Sequence, residues 1–204
     1  MIIHKGKEYT ISVRGDKAVK TGAHGTREMD YFPERDIEAV AGELDEASAW
    51  RLIHDVALQA GKMTTPVAPS HILIEGDGFR LSEWSESHDP AFTAPEGYSA
   101  PWAIGATVFF AFMDCHIFQG QGGKVQKPST PVPNLKKNLP QLSGMVARCL
   151  SYNPADRPTL EELAETAASN MERCRKMEQT RKSRRPGLLP GGGSLDNVWP
   201  EEMI

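Results

Sequence analysis

The chain has 204 residues, of which 39% are hydrophobic and 25% charged, and its net charge is −4. Such a balance suits one globular domain with a real core and a tail, and the mild acidity gives no electrostatic ground for binding nucleic acid. Three cysteines, Cys115, Cys149 and Cys174, show no CxxC spacing, which argues against a disulfide framework and against a zinc site.

"MIIHKGKEYTISV" lacks a continuous apolar run, so no signal peptide is expected. The most apolar stretch, Trp102 to Met113, is well short of the ~20 residues that span a bilayer. A cytoplasmic protein that binds neither membrane nor nucleic acid is the expectation.

Residues 1–20 show short β-prone runs broken at Gly6-Lys7 and at Arg14-Gly15-Asp16, where glycine suits tight turns. Two or three strands are expected, with the RGD tripeptide read as a turn and not as an adhesion signal. Residues 21–43 read as irregular, with one short helix near Asp36–Gly42. "ELDEASAWRLIHDVALQAGKM" predicts an amphipathic helix: Ala47, Trp50, Leu52, Ile53, Val56, Ala57 and Ala60 recur at helical spacing. Asp45 suits its start.

Ile72–Ile74 and Phe79–Leu81 read as two strands joined by a turn at Asp77-Gly78. A loop over 85–101 leads into "WAIGATVFFAFM", apolar on all sides and suited to a buried helix. Gln119 to Pro140 reads as loop. "QLSGMVARCLSYN" predicts another amphipathic helix, and "NPADRPT" a proline-bounded turn. Thr159 then caps a long helix with Glu161 and Glu162 early and basic residues late, as the helix dipole favours. Its basic end, "KMEQTRKSRR", reads as solvated. The division expected is 1–43, a β-rich segment; 44–185, a helical domain; and 186–204, a flexible tail in which Trp199 is a candidate anchor for another protein.

Five segments in this order resemble the C-terminal lobe of a eukaryotic-type Ser/Thr protein kinase, over roughly Leu44 to Ala168. "APSHILI" is similar to the KPxNILI segment closing the catalytic loop, and "GFRLSEWS" to the strand entering the DFG motif. "FTAPE" keeps the APE motif. "APWAIGATVFFAF" is similar to the DxWSLGxxLYEL start of the central helix, keeping Trp102 and Gly105. "MVARCLSYNPADRPTLEEL" is similar to the CLxxDPxxRPTxxEL signature. The resemblance implies an α+β, mainly helical fold like a kinase C-lobe, with a short N-terminal β-hairpin region in place of most of the N-lobe. It also implies a structural ion pair between Glu96 and Arg157.

Phosphoryl transfer needs a Gly-rich loop, a strand lysine, a catalytic-loop Asp, and an Asn and the DFG Asp for magnesium. Carried over position by position, the resemblance sets Pro66 where the base stands, Ala68 for the loop lysine and His71 for the magnesium Asn. Glu83-Trp84-Ser85 falls at DFG, and Ala100 at the Asp that anchors the catalytic loop, so the anchor is expected to be lost. Proline accepts no proton, and histidine is a poor partner for a hard cation. No G-x-G-x-x-G precedes the first helix, and "TGAHGT" has the wrong spacing. The 43 residues before Leu44 fall short of the more than about 50 that the family's N-lobe elements require. Lys7, Lys17 and Lys20 read as solvated.

Departures at catalytic positions beside matches at structural ones imply a pseudokinase: no catalytic residue, no cofactor, and another protein as partner. His71, Glu83 and Trp84 are remnant positions of a nucleotide site, Glu83 being the one candidate metal ligand. The alternative is a divergent or partner-completed Ser/Thr kinase, in which Glu83 and His71 hold the metal of ATP and magnesium. A third reading is a structural fragment of a larger assembly.

Overall fold

The computed structural model describes residues 2–5, 9–14, 17–22, 25–30, 36–82, 89–135 and 139–183. Strands β1 (Ile2–Lys5), β2 (Tyr9–Arg14), β3 (Lys17–Gly22) and β4 (Gly25–Asp30) form one antiparallel sheet in sequence order. Two or three strands were expected over residues 1–20, and β1, β2 and β3 begin there; β4 falls in residues 21–43, which read as irregular. The sequence "GTREMD" of β4 has no apolar alternation to mark it. Its place is set by pairing along the whole of β3, from Lys17↔Asp30 to Gly22↔Gly25. β2 and β3 pair up to Arg14↔Lys17; Gly15 and Asp16 of the RGD tripeptide lie outside the described residues.

The short helix expected near Asp36–Gly42 is absent; residues 37–43 are turns. Asp36 bridges to Leu73, and Ile37 donates its N–H to the Ile72 carbonyl at 3.1 Å. Backbone groups that a helix would have used internally are committed to a strand edge instead. Gly42 completes the bend with φ +82°, where an L side chain is strained, and its N–H reaches the Ala111 carbonyl at 2.7 Å. Ile37 is fully buried in the same core as the helices.

Helix α1 (Glu46–Ala60) begins where Asp45 accepts from the Ser48 N–H at 2.8 Å, a cap worth about 1 kcal/mol. Ala49, Trp50, Leu52, Ile53, Val56 and Ala57 are its buried residues. Ala47, part of the expected apolar stripe, is exposed. Strands β5 (Ile72–Glu75) and β6 (Gly78–Leu81) form a two-stranded antiparallel hairpin. Helix α2 (Ala100–Met113) is buried at every position from Trp102 to Phe112, which its apolarity on all sides required.

α3 (Pro140–Cys149) crosses α2 at Gly105. A Cβ there would lie 2.5 Å from the Cys149 Cβ and 3.2 Å from Leu150 Cγ, so only glycine permits the approach. α4 (Leu160–Ser183) starts at Thr159, whose hydroxyl accepts from the Glu162 N–H at 3.1 Å. It packs along α1, and Arg173 of α4 ion-pairs with Glu46 of α1. The core gathers Trp50 and Trp102, both fully buried, with Leu52, Ile53, Ile104, Leu142 and Leu150. Each aliphatic side chain so buried contributes about 1.5–3 kcal/mol.

The glycine-rich stretch after α2 has a packing role. A Cβ on Gly122 would sit 2.1 Å from the Pro90 carbonyl oxygen, and one on Gly123 2.2 Å from the Pro95 nitrogen. The backbone here lies directly on the "FTAPE" segment, and the Gly123 N–H donates to the Thr93 carbonyl at 2.8 Å. Among the described residues no helix is long and apolar enough to cross a membrane.

Candidate functional site

The β5–β6 hairpin is held from both sides. On the β6 edge, α1 supplies side chains where a further strand would supply backbone. Asp55 accepts from the Phe79 N–H at 3.0 Å and Gln59 from the Leu81 N–H at 2.9 Å. The Gln59 amide also donates to the Phe79 carbonyl at 2.9 Å. These bonds satisfy an edge that would otherwise present open donors and acceptors. On the β5 edge, residues 36 and 37 do the same work.

Residues 64–71, "TTPVAPSH", lead into this hairpin, and Thr65 to Pro69 are all buried. His71 is 9% exposed, and its Nδ1 lies 2.8 Å from the Pro66 carbonyl. A carbonyl only accepts, so Nδ1 carries a proton and donates it to this bond. The His71 carbonyl in turn accepts from the Ser82 N–H at 2.7 Å. His71 thus stitches the loop at Pro66 to the end of β6. The Ser82 hydroxyl is buried and finds no partner among the described residues.

The loop also has an anchor, contrary to the expectation drawn from Ala100. The Val67 N–H donates to the Tyr98 hydroxyl at 3.0 Å. Burial pushes the Tyr98 phenol above its ordinary pKa, partly opposed by the Val67 N–H, which favours the phenolate. The contact lies two residues before the α2 position where the anchor was sought. A phenol in place of a carboxylate reaches the loop without bringing a charge to it.

Between Thr64 and His71 there is no carboxylate, lysine or arginine. His71 is the one titratable group in that stretch, and half its hydrogen-bonding capacity is committed to Pro66. Glu83 and Trp84, the other two positions singled out in the sequence, lie outside the described residues. Among the described residues no group of three or more His, Cys, Asp or Glu side chains is placed to hold a metal ion.

Glu96 and Arg157 come together in a bidentate pair. One guanidinium nitrogen, Nη1, donates to Glu96 Oε1, and Nη2 to Oε2 at 3.0 Å. Arg157 also donates to the carbonyls of Ser151 at 2.8 Å and Tyr152 at 3.0 Å. Its side chain is 3% exposed against 40% for Glu96. The charge is therefore more deeply buried on the cation, which compensates with four donated bonds. The Arg157 bond holds the Glu96 carboxyl below the usual carboxylate range, against the opposing effect of burial.

A second staple was not foreseen. Trp102 Nε1 donates to Gln126 Oε1 at 3.2 Å, and Gln126 Nε2 donates to the Leu150 carbonyl at 2.6 Å. Gln126 is buried, in a stretch that reads as loop. No local signal marks it. Asp55 and Gln59 did leave one: two polar residues four apart, and so on one face of α1.

Away from the loop, an open groove of about 760 Å³ runs between α1, α4, the β5–β6 turn and residues 40–45. Its apolar floor includes Leu44, Ile74, Phe79 and Met171. No position at which the sequence resembles a nucleotide site lines it.

No protein-family model matches the chain, and no curated protein does.

Proposed function

We propose that the chain is a kinase-like C-lobe that does not transfer phosphate and acts as a protein-binding or regulatory module in the cytoplasm. The observation that carries the reading is the loop at residues 64–71. Where a proton acceptor would face a substrate hydroxyl stands Pro66, and its carbonyl accepts from His71. Where a magnesium ligand would stand is that same His71, turned to the loop backbone. A general base must reach the proton it removes, and proline has none to offer. Supports around the loop are present: Tyr98 on Val67 itself, Asp55 and Gln59 on β6, and, further off, Arg157 on Glu96. Retained supports around a site without its chemistry are what a binding module on this scaffold requires.

A thermal-shift measurement with ATP, alone and with magnesium or manganese, tests this. A ligand at a hundred times its Kd adds about 2.7 kcal/mol to the folded state, a shift of several degrees for a chain of this size. No shift is expected under any of these conditions. A raised midpoint with metal, together with phosphate transfer from labelled ATP that is lost in Glu83→Ala, would overturn the reading in favour of a partner-completed kinase.

A further inference from the structure

The groove between α1 and α4 has an apolar floor, an acidic rim and two ends that the contacts define. The β5–β6 turn lies against α1 at Asp55, which accepts from the Phe79 N–H, so Asp77 marks one end. Glu43 and Asp45 precede α1 and mark the other. Glu178 of α4 joins them there, because Arg173 already pairs with Glu46 at the start of α1. From Asp45 to His54 the helix rises about 13–14 Å. Over that length an opening of about 760 Å³ has a cross-section of about 55 Å². One extended chain with its side chains, about 4.8 by 10 Å, matches it; an α-helix, about 10–12 Å across, is too wide.

Charge says what such a chain carries. Five carboxylates line the groove against two guanidiniums, Arg51 and Arg175. Arg175 is committed to Glu172, and Glu178 to Lys182. Glu43 and Asp77, one at each end, are exposed and make no ion pair among the described residues, nor does the half-buried Arg51. In an extended chain alternate side chains face the same way, and residues i and i+4 stand about 13 Å apart. Lysine or arginine at i and i+4 therefore meets Glu43 and Asp77 together. Residue i+2 faces the middle of the groove, where Leu44, Ile74 and Met171 are apolar and Arg51 repels a cation. The Arg51 guanidinium also has donors for carbonyls that an isolated extended chain leaves unpaired.

We propose that this groove binds an extended segment of a partner protein with the pattern basic, any, aliphatic, any, basic. The proposal rests on the reading of the chain as a protein-binding module and not on its resemblance to a kinase, since no catalytic position lines the groove. Exposed rim charges set register and partner choice more than affinity. The aliphatic side chain seated on the floor supplies the binding.

Fluorescence anisotropy of the full chain with a labelled peptide carrying Lys-Thr-Leu-Thr-Lys tests this. That peptide is expected to bind about tenfold more tightly than Lys-Lys-Thr-Thr-Leu, which has the same composition in another order. Glu43→Lys with Asp77→Lys should weaken it about tenfold and let Glu-Thr-Leu-Thr-Glu bind instead. Both positions are exposed turn residues, so their reversal leaves the core intact. Glu165→Lys, exposed on α4 outside the groove, should change nothing. Ala47→Trp, which fills the groove from an exposed position, should abolish binding. No binding, equal affinity for the two orders, or a loss that Glu165→Lys matches overturns the proposal. Self-association of the chain alone that Ala47→Trp removes overturns it too, because the occupant would then be a second copy. The thermal-shift measurement with ATP reads separately: a nucleotide shift overturns the function proposed above without altering the peptide result, and absent peptide binding leaves that function standing.

Discussion

At the scale of single residues, the Glu96–Arg157 pair shows how asymmetric burial decides what a substitution does. Removing Arg157 strands two carbonyls, at Ser151 and Tyr152, along with the carboxylate it served. Arg157→Ala is expected to cost roughly 2–4 kcal/mol, below the full value of a wholly buried pair because Glu96 is part-exposed. Glu96→Gln keeps an acceptor for the guanidinium and should cost less. The two differ from wild type in pH dependence as well. The folded pKa of Glu96 is depressed, so its contribution is present above the unfolded value near 4.5 and is lost as pH falls through the folded one. In urea titrations, the wild-type advantage over Glu96→Gln should be constant from pH 7 to 5 and shrink below about 4.5. An advantage that persists unchanged at pH 3 would show that the carboxylate charge is not what Arg157 uses.

At the scale of elements, α1 does two things at once: its apolar face joins the core, and its polar pair closes the edge of β6. Gln59→Leu preserves the volume of the side chain and removes its bonds to Phe79 and Leu81. An orphaned buried donor costs about 1–3 kcal/mol, so a midpoint loss of that size is expected in urea unfolding, with faster amide exchange at Leu81. A loss below about 0.5 kcal/mol would mean that water replaces the glutamine without penalty. The same elements mark what was legible in the sequence. Asp45 and Thr159 as caps, the 72–81 hairpin and the all-apolar α2 were readable because their causes are local: capping oxygens, turn glycines and periodicity. β4 and residues 36–43 were not, because a neighbouring strand edge sets their conformation. Tyr98 and Gln126 escaped for a related reason. Each satisfies a backbone group more than twenty residues away in sequence, and nothing in its own neighbourhood announces that duty.

At the scale of the whole molecule, the contact of α2 with α3 at Gly105 and Cys149 is central enough to report on global opening. Cys149 is 1% exposed, and burial pushes its thiol up from 9 to about 12. Cys115 is exposed and Cys174 half-buried. Iodoacetamide should therefore modify Cys115 first and Cys149 only through the unfolded state. The raised pKa also carries a sign. The folded thiol holds its proton where the unfolded one has lost it, so the contribution is complete below pH 9 and declines as pH rises from 9 towards about 12. Within that window the decline approaches, at most, about 1.4 kcal/mol per pH unit. Lysines and tyrosines titrate there too, but they are common to wild type and Cys149→Ala and cancel in the difference. Cys149→Ala is expected to be the less stable protein at pH 8, because it leaves a cavity against α2, and to lose less on going to pH 10.5. The two urea midpoints should thus converge with rising pH. Parallel curves would mean that the thiolate is tolerated in the folded state, and that the α2–α3 contact admits water where the structure closes it.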